Sequence, residues 1–142
     1  MSLRAAYFTV DEFRCHSGEP YPPEWENDRL QSLVDALDAI RSAWGGPLHV
    51  VSGYRTAAYN TRIGGARNSQ HVQGRAADVR PAKPTPENVA RLHSLVGTLY
   101  AEGRLPRLGG LGLYPGWIHV DVRAKRDGRL ATWTGAGVGS EQ

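Results

Sequence analysis

Apolar residues recur at steps of three and four between positions 27 and 44, with charged residues in the positions between them. This spacing is typical of an amphipathic helix that packs one face against a core. Asn27 or Asp28 is expected to cap the start of the helix, and Gly45-Gly46-Pro47 is expected to end it. The stretch is therefore predicted to be a core-forming helix.

A second helix and several short strands follow along the chain. Thr85-Pro86-Glu87 has the composition of a capped first turn, and apolar residues after it mark one helix face as far as about Gly103. The predicted strands cover residues 48–51, 76–79, 108–114 and 117–122, with a turn at Pro115-Gly116 between the last two. The segment 55–75 is polar, with at most one short helix near residues 57–60. Two helices and short strands together predict an α+β fold.

The amino-acid composition limits the number of domains, the amount of regular structure and the kinds of metal site. A chain of 142 residues is the size of one domain, and we predict a single domain over residues 1–142. Its 17 glycines and 9 prolines predict a loop-rich body, and residues 123–142, basic and then glycine-rich, predict a flexible tail. Cys15 is the only cysteine, so an intrachain disulfide and a multi-cysteine zinc cluster are excluded.

The charge balance is mildly basic, with 17 Lys and Arg against 14 Asp and Glu. An excess of this size does not indicate nucleic acid as a partner. The first ten residues meet Asp11 and Glu12 before any long apolar run develops, which predicts neither a secretory signal nor membrane insertion. We expect a monomer.

Polar residues alternate with apolar ones in the last predicted strand. Period two places His119 and Asp121 on the face opposite to Ile118 and Val120. Taken alone, His119 and Asp121 would be expected to lie on a solvent-exposed surface. His71, in a glycine-flanked loop, and Asp78, seven residues later on a short strand, can come together if the chain turns at Gly74. Two imidazoles and one carboxylate with an open fourth position are a ligand set of catalytic zinc.

The other histidines are weaker candidates. His49 lies within a predicted strand and His93 on the second helix beside its apolar face, so a structural role is expected for both. His16 beside Cys15 lacks a third neighbour and makes a poor metal site.

Three blocks of the sequence resemble the signatures of a known family. They are Ser52-Gly53-Tyr54-Arg55, the run from Ser69 to Asp78 that fits S-x-H-x-x-G-x-A-x-D, and Trp117-Ile118-His119-Val120-Asp121. In order and spacing they are similar to those of peptidase family M15, the zinc D-Ala-D-Ala carboxypeptidases and peptidoglycan endopeptidases. The resemblance runs from about Phe8 to Asp121. It implies the hedgehog/D-Ala-D-Ala peptidase-like fold, a small, mostly antiparallel sheet with helices packed on one face.

The resemblance also implies a site. His71, Asp78 and His119 would bind one zinc ion, which would polarise a peptide carbonyl and activate water. Arg55 would place a guanidinium near the substrate carbonyl or carboxylate, the alternative being a surface salt bridge. Ser69 would orient the His71 loop or the substrate, although a serine that only shapes the turn explains it nearly as well.

One position departs from the family pattern. Many members carry a general base three residues before the last histidine, or a histidine two before it, where this chain has Gly116 and Trp117. Asp121 is the nearest candidate base, and the equal alternative is a partner that fixes a ligand imidazole. Tyr114 either donates a hydrogen bond to the oxyanion or is a core tyrosine.

The implied function is hydrolysis of peptide bonds at D-amino acids in peptidoglycan stem peptides. With little chain to spare for a lid, an open cleft and an endopeptidase of the lysin kind are favoured over a D-Ala-D-Ala carboxypeptidase or dipeptidase. A zinc-containing module that binds peptidoglycan without cleaving it is the competing class, supported by the missing base. The protein is expected to act on the cell wall after delivery by a route other than a classical signal peptide, or to be phage-encoded.

Overall fold

A five-stranded sheet organises the chain. The computed structural model describes residues 3–136, and its strands follow the order β1-β2-β4-β3-β5. Their bounds are β1 Leu48–Ser52, β2 Ala76–Pro81, β3 Gly110–Leu113, β4 Ile118–Asp121 and β5 Ala131–Thr134. All neighbouring pairs are antiparallel except β3 and β5. The predicted α+β class with a mostly antiparallel sheet is confirmed.

Three α-helices accompany the sheet. They are α1 Gln31–Trp44, α2 Ala57–Arg62 and α3 Pro86–Ala101. Helix α3 packs against β2, β3 and β4, and α1 packs against α3. Ala77 and Val79 of β2 and Ile118 and Val120 of β4 belong to the core beneath these helices. Because side chains alternate along a strand, the residues between them point away from the core.

The start of the first helix differs from the prediction. Helical backbone begins at Pro23, with a 3-10 turn over Pro23–Trp25 and a π turn over Glu26–Leu30 ahead of α1. Asn27 and Asp28 lie inside the π turn, so the prediction that one of them caps the helix is wrong. Proline at the first position starts a helix because its backbone angle is already suitable and its missing N–H is not needed there. The predicted cap of α3 is confirmed, since the Thr85 hydroxyl accepts a hydrogen bond from the Asn88 amide.

The end of the chain contains a strand that was not predicted. Residues 131–134 form β5, which runs parallel to β3 from Gly110↔Ala131 to Leu113↔Thr134. Its residues Ala-Thr-Trp-Thr include only one large apolar side chain, so alternation gave no clear strand signal beside the glycine-rich sequence that follows. The last six residues of the predicted flexible tail lie outside the described residues. None of the helices within residues 3–136 has both the length and the apolar character needed to cross a bilayer.

Candidate metal centre and adjoining groove

The face of the sheet opposite to the core helices carries the polar residues of β2 and β4. Asp78 and His119 are direct cross-strand partners, and Asp121 follows two residues after His119. All three are at most 1% exposed. The alternative that His119 and Asp121 lie on a solvated surface is therefore wrong, because the loop that carries His71 and the side chain of Trp133 cover this face.

Hydrogen bonds hold the His71 loop over the sheet. The Ser69 hydroxyl accepts a hydrogen bond from the His71 amide at 3.1 Å, and the His71 carbonyl accepts one from the Arg55 amide at 3.1 Å. The chain then turns back at Gly74, which has a φ of 69°, and the Tyr21 hydroxyl donates to the Gly74 carbonyl at 2.6 Å. Glycine is favoured at such a positive φ because it has no Cβ. The turn at Gly74 was predicted, and Ser69 lies where it orients the loop.

His71, Asp78 and His119 come together in one buried group. Asp78 Oδ1 lies 3.3 Å from His71 Nε2 and 3.2 Å from His119 Nδ1. The outer nitrogens have their own partners, with His71 Nδ1 2.8 Å from the Gly53 carbonyl and His119 Nε2 2.7 Å from Asp121 Oδ2. Because carbonyl and carboxylate oxygens accept hydrogen bonds, a proton on each outer nitrogen would satisfy these contacts. The two inner nitrogens, which both face Asp78 Oδ1, would then be available to bind a metal ion.

This group fits a metal ion. One ligand atom from each residue lies within 4.8 Å of the others, and among residues 3–136 no other group of three or more His, Cys, Asp or Glu side chains does the same. Ligand atoms about 2.0–2.2 Å from zinc at tetrahedral angles are about 3.3–3.6 Å apart, close to the spacing seen around Asp78 Oδ1. Hydrogen bonds that fix the outer nitrogen of each imidazole are the usual support of such ligands. The arrangement agrees with the predicted cofactor, a single metal ion.

Asp121 lies behind His119. Its carboxylate also accepts hydrogen bonds from the Arg123 guanidinium, from Nε at 2.9 Å and from Nη2 at 2.7 Å. Burial raises the pKa of Asp121, but the hydrogen bonds and charges of His119 and Arg123 outweigh burial and hold the pKa at about 2. A carboxylate with so low a pKa is a weak proton acceptor at neutral pH.

Arg55 lies on the other side of Asp78. Its guanidinium is bonded to Ser52 Oγ at 3.2 Å, to Asn60 Oδ1 at 3.2 Å and to Asp78 Oδ2 at 3.5 Å. Arg55 is 1% exposed, so the alternative of a surface salt bridge is wrong. The buried ion pair between Arg55 and Asp78 uses Asp78 Oδ2, so Asp78 Oδ1 remains directed at the two imidazoles.

Aromatic side chains surround the remaining side of His119. The Trp133 ring centre lies 5.0 Å from the His119 ring centre, and Trp133 Nε1 donates to the Tyr114 hydroxyl at 2.8 Å. Tyr114 is 2% exposed and stacks on Trp117 with an interplanar angle of 9°. Trp117, at the position of the histidine base in some relatives, thus packs against an aromatic ring.

A groove of about 790 Å³ adjoins this centre. We call it the basic groove; its polar lining includes Gln70, Gln73, Arg75, Lys125, Arg126 and Arg129. It begins beside the His71 loop, and Arg123, which also lines it, reaches back to Asp121. The groove therefore continues the face that carries the His-Asp-His group.

The sequence matches the model of a known protein family. The family model described as Peptidase M15 matches residues 6–121. The chain belongs to the M15 peptidase family. The match contains all the residues of the His-Asp-His group, together with Arg55 and Asp121, and it ends before the second half of the basic groove.

A curated M15-type relative is similar over a shorter segment. The zinc D-Ala-D-Ala carboxypeptidase of Streptomyces albus G is 46% identical over 54 residues. The matched segment covers 36% of this chain and 21% of the relative. The similarity therefore spans only about a fifth of that protein's length.

Sequence reasoning missed several neighbours of the M15 site. Arg123 continues the alternation of His119 and Asp121, so period two was a signal for it. Trp133 gave no signal, since it belongs to the unpredicted strand β5. The remaining histidines stay outside the group, with His16 and His49 exposed and His93 half-buried on α3.

Proposed function

We propose that the protein is a zinc metallopeptidase that hydrolyses peptide bonds at D-amino acids in bacterial cell-wall peptidoglycan, as an endopeptidase. The observation that carries the proposal is the buried group in which His71 Nε2 and His119 Nδ1 both face Asp78 Oδ1. The charge and lone pairs of this group suit zinc. Membership of the M15 family and the name of the Streptomyces relative support the substrate class.

The surrounding residues are assigned roles by their contacts. We propose that His71, Asp78 and His119 hold the ion, which would polarise a substrate carbonyl and lower the pKa of a bound water toward about 7. Asp121 is a positioning residue, because both of its oxygens are bonded to His119 or Arg123. Arg55 is proposed to position Asp78 from the opposite side.

The shape of the site supports an endopeptidase. A chain cut in its interior has to extend past the metal on both sides, whereas a carboxypeptidase closes one end of its cleft. The basic groove is lined by Gln70 and Gln73 of the His71 loop and by Arg123, and it gives an extended substrate room on that side of the metal centre. D-Ala-D-Ala carboxypeptidase activity is the second candidate, favoured by the name of the relative.

The test uses purified peptidoglycan sacculi and the zinc-loaded protein. We expect clearing of the sacculi, with new amino termini inside cross-linked peptides identified by mass spectrometry. Release of free D-alanine without clearing would instead assign the carboxypeptidase. The control is the chelated protein, which should be inactive and should recover on addition of one equivalent of zinc.

Binding without cleavage would favour the competing module. If the zinc-loaded protein sediments with sacculi and releases no product, the proposed hydrolase is wrong. His119→Ala should lose zinc, and full occupancy in this variant would contradict the ligand assignment.

A further inference from the structure

Two arginines face each other at the tip of a tight turn beside the groove. Arg126 and Arg129 form an isolated antiparallel bridge, and the Arg129 amide donates to the Arg126 carbonyl at 2.9 Å. The two residues between them, Asp127 and Gly128, have φ values of 53° and 69°. Positive φ at both central positions is the signature of the two-residue turn that fits a twisted hairpin. The backbone therefore fixes the two arginines opposite each other.

This arrangement places two like charges on one face of the hairpin. Side chains directly opposite in an antiparallel pair share one face about 4.5–5.5 Å apart at Cβ, where like charges repel. Arg126 and Arg129 are both exposed, and within residues 3–136 neither forms an ion pair. Asp127 is the one acid in the lining of the groove. An anionic ligand between the two guanidinium groups would remove the repulsion.

Positive charge is concentrated in this groove. Five of the 17 Lys and Arg residues line the groove, but only one of the 14 Asp and Glu residues does. The rest of the chain has twelve Lys and Arg against thirteen Asp and Glu. Arg123 is neutralised by Asp121, Lys125 bonds to the neutral Tyr100 hydroxyl, and Arg75 forms no ion pair in the described part of the chain. The basic character of the protein is thus a property of one concave surface.

We propose that the basic groove binds a carboxylate of an acidic peptide substrate, with Arg126 and Arg129 as its principal ligands. The inference rests on the proposed peptidase function and adds a charge preference to it. The carboxylate would lie away from the bond that is cut, because the lining of the groove contains none of the three residues of the His-Asp-His group. The turn lies beyond residue 121, where the family match ends.

The neutral residues of the groove favour a peptide over a longer polyanion. Asn68, Gln70 and Gln73 line the end next to the metal centre. An amide side chain offers both a donor and an acceptor, which matches the peptide backbone, whereas a phosphodiester chain presents acceptors only. Arg126 and Arg129 lie on a different segment of the lining, the turn after β4, where a side-chain or stem carboxylate of a bound peptide would be held.

The test compares two cross-linked dimers of stem peptides that differ only in the α-carboxylate of their internal D-glutamate residues, which is free in one dimer and amidated in the other. We expect the zinc-loaded protein to cleave the acidic peptide with a kcat/KM about tenfold higher. In Arg126→Gln/Arg129→Gln the preference should fall to about twofold or less. Arg126→Lys/Arg129→Lys should keep part of the preference, since the charge remains but the planar fork is lost.

The matched control is Arg14→Gln/Arg104→Gln, which removes the same charge from two exposed arginines far from the groove. It should retain the preference, and thermal denaturation of each variant should show a folded protein. Added salt should reduce cleavage of the acidic peptide more than that of the amide.

Each result has a distinct meaning. Equal cleavage of the two peptides by the unaltered protein would overturn the groove proposal and leave the peptidase function standing. If neither peptide nor sacculi are cleaved, the peptidase function fails and the groove proposal fails with it. A groove variant with an unchanged preference that no longer binds polyphosphate would assign the surface to a polyanion and make the acidic-peptide proposal wrong.

Discussion

Asp121 Oδ2 lies 2.7 Å from His119 Nε2, on the opposite side of the imidazole from Asp78. The two residues are joined through side chains on the same face of one strand, so neither can rotate independently of the other. By accepting a hydrogen bond from His119 Nε2, Asp121 would leave Nδ1 available to a metal.

Asp121→Asn should weaken zinc binding and change the rate of the chemical step only slightly. An amide keeps the shape of the side chain but loses the charge that holds the His119 and Arg123 protons. We expect zinc affinity to fall by about 10–100-fold, with kcat at saturating zinc within about tenfold of the original. Competition with a chelator and steady-state rates on sacculi measure the two quantities. A loss of about 10²-fold or more in kcat with zinc affinity unchanged would instead identify Asp121 as the general base. Asp11→Asn, at an exposed site, is the control.

Gly110→Ala should disturb the same carboxylate from the neighbouring strand. A Cβ at Gly110 would stand 2.2 Å from Asp121 Oδ2 and 2.7 Å from Asp121 Cγ, which leaves no room for it. We expect lower zinc affinity and a lower melting temperature. Gly116→Ala provides the control in the β3–β4 turn, because a Cβ there meets nothing within 4 Å. If both alanine variants bind zinc equally well, the packing of Gly110 against Asp121 does not support the metal centre.

Arg55→Lys separates positioning from substrate contact. The guanidinium joins Ser52, Asn60 and Asp78, and a lysine ammonium cannot reach all three from one point. We expect the free energy of unfolding to fall by about 1–3 kcal/mol, together with weaker zinc binding, because buried partners lose their hydrogen bonds. Chemical denaturation measures the change, and the exposed Arg14→Lys serves as a control. An unchanged stability with most activity lost would show that Arg55 acts on the substrate.

Tyr114→Phe tests the two roles left open for that tyrosine. Its hydroxyl accepts the Trp133 Nε1 hydrogen bond at 2.8 Å, and only 2% of the residue is exposed. We expect a loss of about 1 kcal/mol in stability and a change in kcat of less than about tenfold. A fall of about 10²–10³-fold in kcat with stability unchanged would assign the oxyanion role. Trp133→Phe, which removes the donor of the same hydrogen bond and part of the ring packed on His119, should cost at least as much stability as Tyr114→Phe.

The sequence was sufficient for the main elements because their periodicity is strong. Alternation in β4 separated Ile118 and Val120 from His119 and Asp121, and helical spacing located α1 and α3. The convergence of His71 with Asp78 followed from a loop that had to turn at Gly74. These signals are local, so a single chain is enough to reveal them.

Other features depend on contacts between distant residues. The burial of Arg55 arises because residues 52, 60 and 78 surround its guanidinium, and no local pattern around position 55 contains that information. Trp133 reaches His119 only because β5 pairs with β3 across the sheet edge. The π turn before α1 likewise follows from how the chain enters the helix, whereas Asn27 and Asp28 alone resemble ordinary caps.

The strand β5, which pairs in parallel with β3, brings a later segment of the chain to the sheet that carries the His-Asp-His group. All three residues of the His-Asp-His group come before position 122, while Trp133 and the arginine turn, which border the approach to it, come afterwards. Exchanging residues 124–130 for those of another family member, with Arg123 and Trp133 kept, should therefore alter which peptides are accepted and leave the metal centre intact. We expect substrate selectivity and metal binding to be carried by separate segments of this chain.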